Sequence, residues 1–191
     1  TLIRQGGWDY VVLQEQSQMP SFPDAQVAMQ TMPYAEALAR AVYDHNPDGE
    51  AMFYMTWGRK DGDAANGSIF PPLATDEGMD SLLYLRYMLM KMRYDGSVSP
   101  VGRLWHHLRS HNPSIELYQS DGSHPSEAGS YAAACSFFTL LFHASPLSIT
   151  DDGGLDAQTA LAIRQAADEV VFDSLFLWQR GGVIDPPPPK R

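Results

Sequence analysis

A carboxylate stands three residues ahead of a histidine in the run Asp121-Gly122-Ser123-His124-Pro125-Ser126. A carboxylate that accepts the proton of one imidazole nitrogen leaves the other nitrogen free to act as a general base. That is the base-and-orienter half of a Ser-His-Asp arrangement. Gly122 permits a tight turn between the two, and Pro125 suits the first position of a helix predicted over residues 127–142. His124 would then sit at a helix N-terminus, where the dipole disfavours added positive charge and favours a neutral imidazole. The same residues also suit a plain turn followed by a helix start, because Asp-Gly and His-Pro are common in such places.

Other polar groups stand where strands are expected to end. The β-rich run Tyr10–Leu13 reads as a buried parallel strand, and it stops abruptly at Gln14-Glu15-Gln16-Ser17. Functional groups collect beyond the carboxyl ends of strands in open α/β sheets, and the amides of Gln14 and Gln16 are of the kind that donates to an oxyanion. An ordinary polar exit from a strand fits the tetrad equally. Trp57 and Arg59 follow a second strand expected over residues 51–57. Trp57 can stack on a sugar or cap the core, while Arg59 can bind a substrate carboxylate or hydroxyl, or pair with Asp61 or Glu15. His107 and His111 share a helix face at a spacing able to hold zinc. No Glu follows His107, so the H-E-x-x-H signature is absent and no metal is assigned. Ser17, Ser123 and Ser126 read as turn or cap residues.

These groups need a scaffold, and the chain is long enough for one. It has 191 residues, 44% of them apolar, which fits one domain with a full-sized core. Helical patterns over residues 24–43, 77–94, 102–110, 125–142 and 156–178 alternate with strands at Tyr10–Leu13, 51–57 and 98–101. Residues 58–75 read as a long loop. Alternation of this kind predicts a parallel sheet covered on both faces, in a domain over residues 1–178 with a Pro-rich tail over 179–191. Within that tail, residues 186–189 are all proline and predict extended backbone. Three strands are fewer than the usual number of about four to six. The net charge of -10 argues against nucleic acid or an anionic membrane as partner. The one cysteine, Cys135, lies in an apolar helix and reads as a buried, inert thiol. The oligomeric state and the cellular compartment are not legible.

In this order, LQEQS (13–17), YMTWGRKDG (54–62) and DGSHPSEAGSY (121–131) resemble blocks of the SGNH/GDSL hydrolase superfamily, in the form of a branch of bacterial SGNH-like proteins. Asp121-Gly122-Ser123-His124 is similar to the D-x-x-H block that supplies the catalytic His and Asp. Gln16 falls where the family's G-x-N-D block carries an oxyanion-hole Asn. The resemblance implies a flavodoxin-like, three-layer α/β/α sandwich of the SGNH hydrolase type. It implies hydrolysis of a small-molecule or glycan ester, an acetyl ester on carbohydrate in its narrowest form, with no metal or organic cofactor. The family's first block, strand-G-[DN]-S, carries its nucleophile and is absent here, as is the block with the oxyanion-hole Gly. The expectation is therefore a sheet without its first strand, a Ser lying upstream of this chain, and 191 residues that are inactive by themselves. The alternative is a non-catalytic module that binds glycan through Trp57 and Arg59.

Overall fold

A computed structural model describes residues 2–182, so the proline tail expected at 186–189 lies outside the described residues. Three short runs form a parallel sheet in the order β1-β2-β3: β1 (Tyr10–Leu13), β2 (Glu50–Tyr54) and β3 (Ser97–Ser99). Leu13 pairs with Phe53, and Tyr54 with Ser99. The strands therefore finish almost level, and their exits lie side by side.

Long helices return the chain between strands. Residues expected as one helix over 24–43 form two, α1 (Asp24–Gln30) and α2 (Met32–His45). Pro33 causes the break, because it has no N–H to continue the ladder. The expected loop over 58–75 contains a short helix, α3 (Ala64–Gly67), and a 3-10 turn, Pro71–Ala74. Asp63 caps α3 by accepting the Asn66 backbone N–H. Next come α4 (Asp76–Tyr94), α5 (Val101–His111) and α6 (Glu127–Phe142). The last expected helix, 156–178, is divided into α7 (Ala157–Ala167), a π-helical turn (Asp168–Phe172) and α8 (Leu175–Trp178).

Neighbouring side chains on β2 show how the layers form. Phe53 packs toward Tyr94 of α4, whereas Tyr54 meets Phe137 of α6 edge-on at 4.9 Å. Successive strand residues point to opposite faces, so α4 and α6 cover opposite sides of the sheet. The fold class is the α/β sandwich expected, with a parallel sheet flanked by helices. A second apolar cluster joins Trp57 and Trp105 to α6 and α7, and Cys135 is fully buried within it. Burial pushes the Cys135 thiol up to about 11.

β1 departs from its own sequence pattern. Its apolar run is that of a covered strand, yet Val12 is 45% exposed. β1 lies at the sheet margin, with β2 as its partner among the described residues.

Close packing at the start of α6 yields a stability prediction. A Cβ on Gly129 would come within 2.3 Å of the Leu117 carbonyl oxygen and 2.5 Å of the Trp105 ring. Gly129→Ala is expected to lose about 1–3 kcal/mol to overpacking, outweighing the roughly 1 kcal/mol that Ala gains over Gly in a helix. Urea denaturation of the two proteins measures the difference.

Candidate functional site

The carboxylate of Asp121 holds its turn with one oxygen and the imidazole with the other. Oδ1 accepts the backbone N–H groups of Ser123 and His124, both at 2.9 Å. Oδ2 lies 2.5 Å from Nδ1 of His124. Gly122 sits at φ +65°, a left-handed conformation that suits glycine. The hydrogen bond from His124, helped by the two backbone donors, pulls Asp121 down to about 2. An ionised carboxylate accepts, so Nδ1 carries a proton and Nε2 is the ring nitrogen turned away from Asp121. Both side chains are open to solvent, at 73% for His124 and 47% for Asp121.

Pro125 does not begin the helix. It forms an isolated antiparallel bridge with Tyr118, and Ser126 caps α6 by accepting the Gly129 N–H at 3.1 Å. His124 therefore precedes the cap by two residues. Its orientation comes from Asp121 rather than from a place in the first helical turn.

The turn is tied to the chain leaving β2. Lys60 N–H donates to the Gly122 carbonyl at 2.9 Å, and the Trp57 indole N–H donates to the Ser123 carbonyl at 3.0 Å. The exit of β1 reaches the same strip, since Thr56 Oγ1 donates to the Ser17 carbonyl at 3.1 Å. Arg109 holds the strip from α5: it donates to the Lys60 carbonyl at 2.9 Å and pairs with Asp76 at 2.7 Å. Tyr118 donates to the Gly58 carbonyl at 2.7 Å. Burial of Asp76 pushes its carboxyl above the usual range, against the opposing pull of Arg109. Sequence reasoning missed Arg109, Tyr118 and Asp76. Their partners at Gly58, Lys60 and Asp76 are 33 to 60 residues away along the chain, and no local pattern announces such pairings.

Other expected site residues are placed differently. Trp57 is only 9% exposed and stacks on Trp105 at 3.9 Å with 13° between the rings. It is part of the core, and the sugar-stacking expectation is corrected on that ground. Arg59 lies 3.6 Å from Asp63, not against Asp61 or Glu15. Glu15 instead accepts the Gln16 N–H. Gln16 is exposed, and its Oε1 accepts the Gln18 N–H at 3.3 Å, so the amide nitrogen is what it has left to offer. Gln14 borders a separate cavity of about 50 Å³ between β1, α2 and α4. Two open grooves flank the His124 turn. One, of about 300 Å³, runs past Asp121, Gly122, Lys60 and Glu116, and the other, of about 530 Å³, past Pro125, Ser126 and Tyr131.

This arrangement has counterparts among solved structures. A DUF4886 family protein from Bacteroides uniformis superposes on 85% of the chain with a TM-score of 0.72 at 17% identity. A candidate SGNH hydrolase from Slackia heliotrinireducens superposes on 68% with a TM-score of 0.54 at 25% identity. The fold is SGNH-like. The chain spans 61% and 64% of the lengths of those two proteins. No family model and no curated protein matches the sequence.

The coupling of Asp121 to His124 is open to titration. A depressed carboxylate contributes its stabilisation above the ordinary carboxylate range and loses it as pH falls through its folded value, here about 2. Carboxyl-carbon NMR should find the Asp121 midpoint near that value. In His124→Ala the midpoint should rise, yet remain below an ordinary Asp because two backbone N–H donors persist.

Proposed function

We propose that this chain carries the base half of an ester-hydrolysing site, completed by a serine upstream of Thr1. The observation that carries this reading is the Asp121–His124 pair, fixed at 2.5 Å with its imidazole open to solvent. It is supported by the attachment of both the β1 exit and the His124 turn to the strip that leaves β2. The half-exposed, apolar β1 supports it as well, because an additional parallel strand beside β1 would end next to the other strand exits.

In this mechanism the serine Oγ attacks the ester carbonyl carbon while His124 Nε2 takes its proton. Asp121 keeps the ring in the correct tautomer and stabilises the imidazolium. The tetrahedral intermediate collapses, the C–O bond to the alcohol breaks, and the imidazolium returns the proton to the leaving oxygen. Water then cleaves the acyl-serine by the same proton transfers. The Gln16 amide N–H is the proposed donor to the oxyanion, with Gln14 as the reserve. The substrate class is a small acyl ester, an acetyl ester of a carbohydrate in the narrowest form, lying along the grooves beside Asp121 and Pro125. The glycan-binding alternative loses the support of Trp57, whose ring is committed to Trp105.

Two measurements test the reading. The 191-residue chain incubated with p-nitrophenyl acetate should show no serine-dependent turnover, and an alkyl phosphonate should label none of its serines. In the protein extended through its upstream segment, His124→Ala should reduce kcat by at least about a thousandfold. Gln16→Ala should reduce it by roughly a hundred- to a thousandfold with little change in KM. An unchanged kcat in His124→Ala would reject the mechanism, and an unchanged kcat in Gln16→Ala would return that residue to a plain strand exit.

A further inference from the structure

A groove of about 770 Å³ lies between α4, α5 and the segment 168–178, lined by none of the residues that border the grooves beside Asp121 and Pro125. Its volume is that of a small-molecule site. Tyr84, Leu85 and Leu177 form much of its apolar wall. The facing wall is one side of α5, which presents Arg103, His106, His107 and His111. The whole chain has a charge of -10, yet no Asp or Glu lines this groove among the described residues.

The nitrogen-rich wall is organised from behind. Asp80, with a side chain only 5% exposed, accepts from Arg103 Nη1 at 2.5 Å and lies 3.7 Å from His106 Nδ1. The Arg103 guanidinium also sits over the Tyr84 ring, 5.4 Å from its centroid. A guanidinium has five N–H donors in a planar fork, so one bond to Asp80 leaves others for a carboxylate in the groove. His107 and His111 stack at 4.1 Å, and the His111 Nδ1 is occupied by the His107 carbonyl. His107 Nε2 faces the Glu169 carboxylate at 3.6 Å, and Glu169 is 69% exposed on the π-helical turn. The solvent-exposed Glu169 carboxylate thus stands against His107 from outside the groove lining.

We propose that this groove binds a small organic anion with an aromatic body, an aryl carboxylate being the simplest member. The ring would lie against Tyr84, Leu85 and Leu177. The carboxylate would take the free N–H groups of Arg103 and displace Glu169 from His107. The reading is independent of ester hydrolysis, because it uses neither His124 nor Asp121.

Isothermal titration of the 191-residue chain with 2-naphthoate and with its neutral isostere 2-naphthamide tests the proposal. One molecule of naphthoate should bind per chain with a Kd of about a millimolar or tighter, and the amide about tenfold more weakly. Arg103→Gln should weaken naphthoate about tenfold. That substitution also leaves the buried Asp80 without its main partner, so a second variant avoids the folding question. Glu169→Gln, at an exposed position, should tighten naphthoate several-fold by removing the competing carboxylate. Equal affinity for acid and amide would overturn the proposal. So would the absence of naphthoate binding, or an affinity unmoved by Glu169→Gln.

Discussion

The candidate site depends on where one indole sits. Trp57 leaves the end of β2 and lays its ring on Trp105, and from there its N–H reaches the Ser123 carbonyl. Its core packing therefore sets the height of the His124 turn above the sheet. The neighbouring residues repeat the device with backbone groups: Lys60 holds Gly122, and Gly58 is held by Tyr118. A turn with two exposed polar side chains is positioned through carbonyls beneath it, which leaves those side chains open to solvent. Positioning by buried contacts below and exposure above is what a pre-organised site requires.

Between α4 and α5 runs a lattice of charge that supports the same strip. Asp76 pairs with Arg109 and Asp80 with Arg103, so acids on one helix meet bases on the other. Burial raises both carboxylates above the usual range, and the guanidinium partners oppose that shift. Such pairs contribute little net stability once desolvation is counted, and removing one member leaves a buried charge uncompensated. Their value here is geometric. Arg109 links the lattice to the Lys60 carbonyl, one hydrogen bond from the turn that carries His124.

Local features of the site were legible in the sequence because they are made by neighbours. Asp121 reaches His124 across three residues, and Gly122 supplies the left-handed turn between them. The α/β class followed from strand and helix periodicities, and the parallel sheet of three strands matched the count. What escaped was set by distant partners. Nothing in Trp57-Gly58-Arg59 says that the indole faces inward toward Trp105. That outcome needs a ring 48 residues away and a glycine, Gly129, that leaves room for it. Helix breaks at Thr31 and at the π-helical turn were missed for related reasons. The apolar pattern runs through both, while Pro33 and the extra residue of the π turn interrupt only the backbone ladder.

Cys135 turns the packing of α6 into a clock. It is the chain's single thiol, it is fully buried, and its acidity is suppressed by its surroundings. A thiol in that state is invisible to disulfide exchange and alkylation, which need the thiolate and access to it. Modification can proceed only during the moments when the layer of α6 and α7 parts. The slow chemistry of one atom therefore counts the openings of the second core, the same core on which Trp105 and the His124 turn rest.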